Sequence, residues 1–510
     1  MYGRVTGVSI LGVRGYPVVV EAHVGRGLPS LTLTGLPGAA LQDARDRIRP
    51  TVESSKLEWP LRRVVVNLSP GNVRKEGPGF DLPVAMVILA ATGQVPEKRL
   101  EGWTFSGELS LRGTLVPTPG ILSVALAAAR AGSRGIVVPA PNAAEASLVE
   151  GLEVVAAESL RDVVGFFRGT WRNEVRPIPA PTPRTTHGVD LSEVRGQASA
   201  RRALEVAAAG GHNICMIGSP GAGKTMLARR LPTILPVMSR PEALEVTQLH
   251  SVAGLLDAGL VAERPFRSPH HSVSLAAMLG GGSGYLRPGE VSLAHHGVLF
   301  LDEVTEFRRD AVEGLRQPLE DGRVVVTRIA GSVEFPARFT LVAAANPCPC
   351  GFSGDLKRAC TCRGDRLEAY QAKLSGPLLD RVDLRLHIPR LTKQELLGES
   401  KGESSATIRA RVEEARERQR VRYRHLGLHC NAQLPGPLAR REARITAEAE
   451  SLLASAVEGQ GMTGRGFDRA MKVARTIADL AGRDDVGPDQ VVESLAYRAT
   501  DPSRDLADAR

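Results

Sequence analysis

Residues 218–225, which read GSPGAGKT, constrain this chain more than any other part of its sequence. They fit G-x-x-x-x-G-K-[ST], the Walker A pattern, in which the backbone N–H groups of a glycine-rich loop surround a phosphate. The stretch is preceded by a short apolar run, NICMI, which predicts a buried strand, and is followed by MLARRL, which predicts a helix. A helix N-terminus adds positive charge beside a bound anion. Strand, loop and helix in this order predict a P-loop nucleotide site.

The residues of this loop have separate expected roles in holding ATP and Mg²⁺. Lys224 is predicted to reach the β- and γ-phosphates, and Thr225 is predicted to offer its hydroxyl to Mg²⁺. The other predicted ATP-binding residues are Gly218, Ser219, Pro220, Gly221, Ala222 and Gly223.

Two further apolar runs end in polar residues that would complete such a site. Residues 297–303 read GVLFLDE, the Walker B pattern, so that Asp302 is predicted to hold Mg²⁺ and Glu303 to orient and polarise the attacking water. The run at 340–345 ends at Asn346, a polar residue that could sense the γ-phosphate. Together these stretches are the parts of a P-loop ATPase.

Composition indicates which kinds of partner the protein can bind and in which compartment it is expected. The net charge of +9 permits a polyanionic partner, whereas an aromatic content of 4% gives no indication of a base-stacking surface. The first residues lack the long apolar core of a signal peptide, and the longest apolar run, 82–92, is too short to span a bilayer. We therefore expect a cytoplasmic protein without a membrane partner.

A length of 510 residues suggests two to four domains. The predicted strands and helices indicate an α/β multidomain protein with four successive regions. Residues 1–169 predict an α+β domain, and the proline-rich residues 170–187 predict an extended linker. Residues 188–390 predict the P-loop α/β core, and residues 391–510 predict a small all-α lid.

Two stretches of the first region resemble the catalytic regions of the Lon-protease fold. They are KEGPGFDLPVAMVILAATG at 75–93 and FSGELSLRGTLVPTPGILSVALAAARAG at 105–132. That family places a nucleophilic serine and a lysine in these regions, and the matching positions here are Gly79 and Leu122. Neither residue can attack a carbonyl or activate a nucleophile. The resemblance therefore implies the fold, and the missing dyad argues against peptidase activity.

Four of the six cysteines form two C-x-C pairs in one loop, at Cys348, Cys350, Cys360 and Cys362. Four thiolates can close a tetrahedral Zn²⁺ site, while free thiols or redox chemistry are the alternatives. The sequence also contains two histidine pairs, at 270–271 and 295–296. Since helical i, i+4 spacing is absent and paired neighbours usually point apart, we expect structural or phosphate-proximal roles for these histidines rather than metal binding.

Three arginines have both a functional and an ordinary interpretation. Residues 323–335 predict a β-hairpin with its tip near 328–331, so that Arg328 is either a solvated residue or a basic contact for a polymer in a pore. Arg381 is either an arginine finger toward a neighbouring subunit's ATP or the partner of Asp380 or Asp383. Arg465 opens a predicted lid helix and could reach the γ-phosphate.

The motifs SPHH, RPGEVSLAHHGVLFLDE, LRQPLEDG, AAANPCPCG, SGPLLDRVDL and GRGFDRAMKVARTIADL resemble, together, the YifB/ComM family of magnesium-chelatase-like AAA+ ATPases. The resemblance covers nearly the whole chain. It implies a homo-oligomeric ring, a hexamer, with ATP at the subunit interfaces. It also implies roles for Asn346 as sensor 1, Arg381 as the finger acting in trans, Arg465 as sensor 2 and Arg328 as a DNA contact.

The implied function is an ATP-driven motor that remodels DNA, as in branch migration, recombination or natural transformation. The alternative is a chelatase-type or protein-remodelling motor subunit without DNA activity.

Overall fold

The computed structural model describes residues 1–71, 75, 77–173, 188–257, 259–282, 286–328, 331–355, 357–374, 381–397, 402–460 and 462–498. Most of the predicted linker, residues 174–187, and the hairpin tip, residues 329–330, lie outside this described part.

The N-terminal part of the chain forms a seven-stranded mixed sheet in the order β3-β4-β2-β1-β5-β8-β9. Its strands are β1 (Tyr2–Leu11), β2 (Arg14–Gly25), β3 (Ser30–Thr34), β4 (Arg63–Ser69), β5 (Trp103–Phe105), β8 (Gly135–Pro139) and β9 (Glu153–Ala157), with β6 (Glu108–Leu109) and β7 (Leu115–Val116) as a separate ribbon. The helices are α1 (Ala39–Ser54), α2 (Asp81–Ala91), α3 (Glu97–Leu100), α4 (Ile121–Arg130), α5 (Ala143–Ala146) and α6 (Leu160–Arg168).

Helix α2 lies at the centre of this region. All eleven of its residues are buried, as expected for a helix that is apolar on every side. It packs against β1 and β2, where alternate residues of β2, among them Val18, Val20 and Ala22, point into the same core. Because side chains alternate between the two faces of a strand, β2 presents one apolar face to α2, and the apolar helix is buried against it.

The central part forms a five-stranded parallel sheet in the order β11-β14-β17-β10-β18. Its strands are β10 (Ile214–Ile217), β11 (Phe266–Arg267), β14 (Val298–Leu301), β17 (Thr340–Ala345) and β18 (Leu384–His387). Two antiparallel pairs accompany it: β12 (Gly280–Gly281) with β13 (Arg287–Pro288), and β15 (Arg323–Arg328) with β16 (Gly331–Pro336). The helices here are α7 (Ala198–Gly210), α8 (Lys224–Ile234), α9 (Arg240–Ala253), α10 (Leu275–Leu279), α11 (Glu290–Leu293), α12 (Arg309–Glu313), α13 (Arg316–Asp321) and α14 (Gly364–Leu374).

This parallel sheet is covered on both faces. Ile214 and Met216 of β10 belong to one apolar core, and Cys215 and Ile217 belong to another. Continuous apolar strands are typical of parallel sheets that have both faces buried. The predicted parallel α/β core is confirmed, and its order makes the three motif-bearing strands β14, β17 and β10 direct neighbours.

The sequence AVEGLRQPLE at 311–320 predicts a single helix. This prediction is wrong, because the structure has α12 and α13 instead. Pro318 has no N–H to donate to the carbonyl of Gly314, so a continuous helix would lose that bond. Gly314 also packs closely on α10: a Cβ added there would lie 2.7 Å from Leu275 Cδ1.

The C-terminal part is helical. Its helices are α15 (Lys393–Leu397), α16 (Ser405–Arg422), α17 (Gly436–Glu442), α18 (Ala447–Gln460), α19 (Gly464–Leu480) and α20 (Pro488–Ala496). The many charges at 405–427 predict a solvated helix, and α16 has in addition a narrow buried stripe. Ile408, Val412 and Ala415 belong to the same core as β10. Helical spacing aligns these few apolar residues on one face, so α16 attaches the C-terminal helices to the parallel sheet.

Candidate nucleotide-binding site

The loop between β10 and α8 has the backbone that a phosphate-binding loop needs. Gly221 and Gly223 have φ of 80° and 93°, the left-handed region that favours glycine. Gly218 packs directly on the segment after β18, since a Cβ there would lie 2.4 Å from the carbonyl oxygen of Ile388. Helix α8 begins at Lys224, so its free N–H groups face the loop.

Lys224 is buried and is held by three oxygen atoms. Its Nζ donates to the carbonyls of Gly218 at 2.5 Å and Ser219 at 3.3 Å, and to Asn346 Oδ1 at 3.0 Å. Burial lowers the pKa of Lys224, and the nearby carboxylates of Asp302 and Glu303 act in the opposite direction. The ammonium group therefore lies at the junction of the loop and the end of β17, in a position to meet an anion.

Oxygen atoms suited to Mg²⁺ lie on the adjacent strand end. The Thr225 hydroxyl donates to Asp302 Oδ2 at 2.8 Å, and the backbone N–H of Glu303 donates to Asp302 Oδ1 at 3.0 Å. A hydroxyl and a carboxylate are the hard ligands that Mg²⁺ takes in nucleotide sites, so the donor set fits this ion.

Glu303 is exposed and has a φ of 51°, which is uncommon for a residue other than glycine. Non-glycine residues held in this region are concentrated at functional sites. A cavity of about 400 Å³ brings Glu303 together with the loop and the other strand ends. It is lined by Pro220, Gly221, Ala222, Gly223, Lys224, Thr225, Met226, Asp302, Glu303 and Asn346.

The three candidate arginines lie outside this cavity lining. Arg381 lies just before β18, where its guanidinium is largely buried and forms an ion pair with Glu320 at the end of α13. Arg328 is the last residue of β15 and pairs with Gly331 in the predicted hairpin. Arg465 is the second residue of α19 and is exposed.

The four cysteines converge in the segment after Asn346. The Sγ atoms of Cys348 and Cys350 lie 3.3 Å apart, and Cys360 Sγ lies 3.7 Å from the first and 3.6 Å from the second. The ligand atoms of all four, Cys362 included, lie within 4.8 Å of one another. The chain therefore folds four sulfur atoms around one point, as a tetrahedral metal site requires.

The histidine pair His295 and His296 contacts helix α9. The Nε2 atoms of both rings lie about 3 Å from Glu245 Oε2, at 3.0 and 2.9 Å. His295 Nδ1 accepts the backbone N–H of Arg338 at 2.9 Å, so the single proton of the neutral ring belongs on Nε2. A nitrogen in this protonated state offers no lone pair to a metal ion, although the ligand atoms of Glu245, His295 and His296 lie within 4.8 Å of one another. The expected structural or phosphate-proximal role stays a prediction.

The expectation that neighbouring histidines point apart is wrong for both pairs. The ring centroids are 3.9 Å apart in His295 and His296 and 4.0 Å apart in His270 and His271. In the first pair, Glu245 attracts both rings to one oxygen. In the second, His270 Nδ1 hydrogen-bonds to the Ser272 hydroxyl at 2.8 Å.

The positions that match the Lon dyad have no nucleophile in the structure. Leu122 is fully buried at the start of α4, and its backbone N–H donates to Glu145 Oε1 at 2.6 Å. Ser123 donates to the carbonyl of Val13 at 2.8 Å and accepts from Gln248 of α9 at 3.0 Å. This face of α4 is therefore a packing surface for α9.

Two contacts of the Walker A loop were not predicted from the sequence. Gln197 Nε2 donates to the carbonyl of Pro389 at 2.8 Å and lies 3.5 Å from the carbonyl of Ala222. The side chain of Ser219 lies beside Asp355, which is located between the two C-x-C pairs. Asp355 belongs to no motif that marks such a role. The left-handed φ of 50° at Gln197 is visible only in the structure.

Comparison with known families and proteins places these features in a family. Three family models match the chain: "Magnesium chelatase, subunit ChlI" over residues 190–396, "Subunit ChlI of Mg-chelatase" over residues 20–142, and "Magnesium chelatase, subunit ChlI C-terminal" over residues 402–498.

Relatives match over nearly their full length. An uncharacterised protein of Mycobacterium tuberculosis is 45% identical over 504 residues, which are 98% of this chain and 99% of that protein. The uncharacterised protein YifB of Escherichia coli is 42% identical over 500 residues, 97% of this chain and 96% of its own. The competence protein ComM of Haemophilus influenzae is 39% identical over 496 residues, 96% of each chain.

Part of the chain is also similar to Lon proteases. The Lon protease of Geobacter metallireducens is 28% identical over 212 residues, 39% of this chain and 25% of that protein. Among the helices that the structure describes, we find no candidate for a membrane span. On the matches that cover almost the whole chain, this protein is a member of the YifB/ComM family of magnesium-chelatase-like proteins.

Proposed function

We propose that this protein is an ATP-hydrolysing AAA+ ring motor that binds and remodels DNA. The observation that carries the proposal is the convergence of three separate strand ends on one cavity. Lys224 contacts Asn346, and Thr225 contacts Asp302, so the elements needed for phosphoryl transfer already touch one another. The proposed cofactors are ATP and Mg²⁺, with Zn²⁺ as a structural ion at the four cysteines.

Each residue of the site has its own proposed role in ATP hydrolysis. The Walker A loop and α8 bind the phosphates through backbone N–H groups, and Lys224 offsets their charge. Mg²⁺, held by Thr225 and Asp302, would neutralise charge between the β- and γ-phosphates. Glu303 lies in the same cavity and would orient a water and accept its proton, and Asn346, which also lines the cavity, would detect the γ-phosphate.

The catalytic set is completed between subunits of a ring, which we propose to be a hexamer. Arg381 would act in trans on the neighbour's ATP, and Arg465, exposed at the start of α19, would reach the γ-phosphate as sensor 2. Arg381 now pairs with Glu320, so assembly would exchange this carboxylate for phosphate oxygens. Guanidinium groups bind both anions through the same planar donors.

DNA as the client is supported by charge and by the hairpin β15–β16. The hairpin directly precedes strand β17 in the chain and carries Arg328 at the end of β15. A net charge of +9 favours a polyanion. The relative ComM is named a competence protein, which agrees with a role in DNA uptake or recombination.

The proposed domains are a Lon-protease-like domain at 1–169, a linker at 170–187, the AAA+ core at 188–390 and a helical lid at 391–510. The first domain lacks the dyad at Gly79 and Leu122, so we propose that it is not proteolytic. We propose a cytoplasmic location for the protein.

The test of this proposal uses four-way and forked DNA in gel mobility-shift and strand-separation assays with ATP. We expect the Glu303→Gln variant to shift branched DNA in the presence of ATP, and the wild type to separate its strands. The matched control is Glu306→Gln, an exposed carboxylate three residues further along the chain. If neither form shifts or separates any branched DNA, the DNA part of the proposal fails.

A second candidate function follows from the three family models, which are all described as parts of magnesium chelatase. In that case the chain would be a motor subunit that acts on a protein or chelatase-type client. ATP turnover with no response to DNA, together with a client retained by Glu303→Gln, would favour this candidate.

A further inference from the structure

We infer that Cys348, Cys350, Cys360 and Cys362 bind one Zn²⁺ ion that braces the Walker A loop and Asn346, so that ATP binding depends on this metal. The inference rests on the ATP-binding part of the proposed function. Beyond that function, we infer that ATP binding depends on a second metal ion, which does not contact the nucleotide.

The distances between the sulfur atoms fit a single tetrahedral ion. With a Zn–S bond of about 2.3 Å, the sulfur atoms of a tetrahedral site lie about 3.8 Å apart. The three measured separations, 3.3, 3.6 and 3.7 Å, are close to this value. An iron–sulfur cluster is larger than one ion and would hold its cysteines further apart. The donor set therefore favours Zn²⁺.

Backbone N–H groups already point at the sulfur atoms. The N–H of Ser353 donates to Cys348 Sγ at 3.2 Å, and that of Cys350 donates to Cys362 Sγ at 3.4 Å. Such donors stabilise negative sulfur, the form that binds metal, and orient it. The loop is thus built around thiolates rather than around an apolar core.

One side of this loop lies on the Walker A loop. Gly351, between the two sulfur-bearing segments, has a φ of 84°, and a Cβ added to it would lie 2.6 Å from Pro220 Cδ. The Ser219 side chain lies beside the carboxylate of Asp355, which also forms a 2.9 Å ion pair with Arg390 after β18. Two consecutive residues of the phosphate-binding loop are therefore in contact with the cysteine loop.

An aromatic contact fixes the same loop against the end of the sheet. The Phe352 ring lies between two guanidinium groups, with Arg358 at 5.1 Å and Arg390 at 5.4 Å from its centroid. Cation–π contacts of this kind hold a ring in place while its surroundings stay polar. Arg390 thus contacts both Phe352 and Asp355, so the aromatic contact and the ion pair of this loop depend on the same arginine.

The other side of the loop holds the sensor. Asn346 is two residues before Cys348, which is fully buried. The hydroxyl of Tyr370 in α14, the helix after the last cysteine, lies near the backbone of Asn346 and accepts a hydrogen bond from the Thr305 hydroxyl at 2.9 Å. Thr305 follows Glu303 by two residues. The cysteine loop consequently contacts Walker A and follows directly on Asn346, while the next helix, α14, contacts the turn after Walker B.

The ion has a mechanical role in this arrangement. Cys360 is exposed, and Gly351 and Gly354 both have positive φ, so a crosslink through the metal would add to the contacts of Phe352 and Asp355 in fixing the segment. Without the metal, the loop loses the crosslink that keeps Gly351 and Asp355 against Pro220 and Ser219. A displacement of about 1 Å at a site of this kind can lower its performance on the order of a hundredfold.

The experiment measures zinc content by mass spectrometry and ATP affinity with a fluorescent ATP analogue, on the full chain purified under reducing conditions. We expect about one Zn²⁺ per wild-type chain. The double variant Cys360→Ser/Cys362→Ser should lose the ion and bind the analogue at least about tenfold more weakly. The matched control, Cys430→Ala, removes a buried thiol outside the cluster and should change neither quantity.

A second variant tests the contact between the cysteine loop and the Walker A loop while leaving the metal site intact. Asp355→Ala leaves all four cysteines in place, so it should retain the ion, yet weaken analogue binding about fivefold by removing the Ser219 contact. Circular dichroism melting checks that each variant is folded at the assay temperature.

Three results would overturn the inference: a wild type without zinc, a folded zinc-free variant with wild-type ATP affinity, or Asp355→Ala with unchanged affinity. Failure of the DNA proposal has a different signature. A wild type that holds zinc and binds ATP but does not respond to DNA contradicts the motor proposal and leaves this inference intact.

Discussion

Lys224 Nζ lies 3.0 Å from Asn346 Oδ1, although the two residues are 122 positions apart in the chain. The contact joins the start of α8 to the end of β17, which are neighbours because β10 and β17 pair in parallel. The carboxyl ends of adjacent parallel strands meet at one edge, where ligands of open α/β sheets bind. The site is therefore a consequence of strand order, and changes at each strand end should affect different steps.

Replacing Glu303 by Gln should separate ATP binding from hydrolysis. The amide keeps the shape of the side chain but cannot accept a proton from water, so turnover should fall by about a hundredfold or more while ATP affinity stays within about twofold. Steady-state turnover and equilibrium nucleotide titration measure the two effects. Equal losses in Glu303→Gln and the exposed neighbour Glu306→Gln would contradict the assigned role.

Replacing Asp302 by Asn should raise the Mg²⁺ requirement. Asn can still accept the Thr225 hydroxyl at the position of Oδ2, but it has lost the charge that attracts the cation. The Mg²⁺ concentration for half-maximal ATP turnover should rise by about tenfold. Asp310→Asn is the control, since this exposed carboxylate pairs with Arg308 at the surface. An unchanged Mg²⁺ dependence in Asp302→Asn would exclude the carboxylate as a ligand.

Arg381→Ala should reduce turnover by about a hundredfold or more, with ATP affinity largely retained, if the guanidinium acts in trans. The ordinary interpretation, a salt bridge predicted with Asp380 or Asp383, would make Arg381 only an ion-pair residue, and in the structure it pairs with Glu320. Glu320→Gln breaks the same ion pair and leaves the arginine in place, so it should have a small effect on turnover. If both variants lose activity equally, the ion pair explains the result and the finger does not.

Arg328→Ala should weaken DNA binding and lower the salt dependence of that binding. Losing one phosphate contact reduces the slope of log affinity against log salt by about one. Arg323→Ala is the matched control: it lies on the same strand, removes the same charge and sits beside Glu334 at the base of the hairpin. Identical salt slopes for the two variants would contradict a DNA contact at the tip.

Acid should destabilise the link between α9 and the residues before β14. Burial lowers the pKa of His295 to about 4, and the histidine hydrogen bonds hold the pKa of Glu245 below its usual range. His296, Glu242 and Arg338 also face this cluster. The unfolded chain therefore binds more protons than the folded one as pH falls, first at the histidine and then at the glutamate, so stability is lost in that direction.

Urea unfolding measures this loss. Between about pH 7 and about pH 5 the His295 contribution should reduce the free energy of unfolding by about 2 kcal/mol. His295→Gln should flatten the pH dependence in this window, while His429→Gln, an exposed histidine among the C-terminal helices, should leave it as in the wild type. A variant as pH-dependent as the wild type would contradict the account.

The sequence predicted the parts of the site that are contiguous in the chain. Walker A, Walker B and the strand before Asn346 each carry their own pattern of apolar residues and a polar end. The contacts of Ser219 with Asp355 and of His295 with Glu245 join distant segments, and no local pattern encodes them. They depend on which elements pack together.

Two errors have different origins. The break between α12 and α13 was visible in the sequence, since Pro318 and Gly314 are four residues apart. The buried stripe of α16 was not, because three apolar residues among many charges give a weak periodic signal. Its burial depends on the partner helices α7 and α8, which only the folded chain brings to it.

The central claim is that ATP hydrolysis in this cavity is coupled to DNA. Its most direct test is the rate of ATP turnover by purified protein with no DNA, with single-stranded DNA and with a four-way junction, alongside Glu303→Gln. We predict that DNA stimulates turnover by the wild type and that the variant shows none of this stimulation. Robust turnover that no DNA alters would contradict the claim and assign the motor to a protein or chelatase-type client.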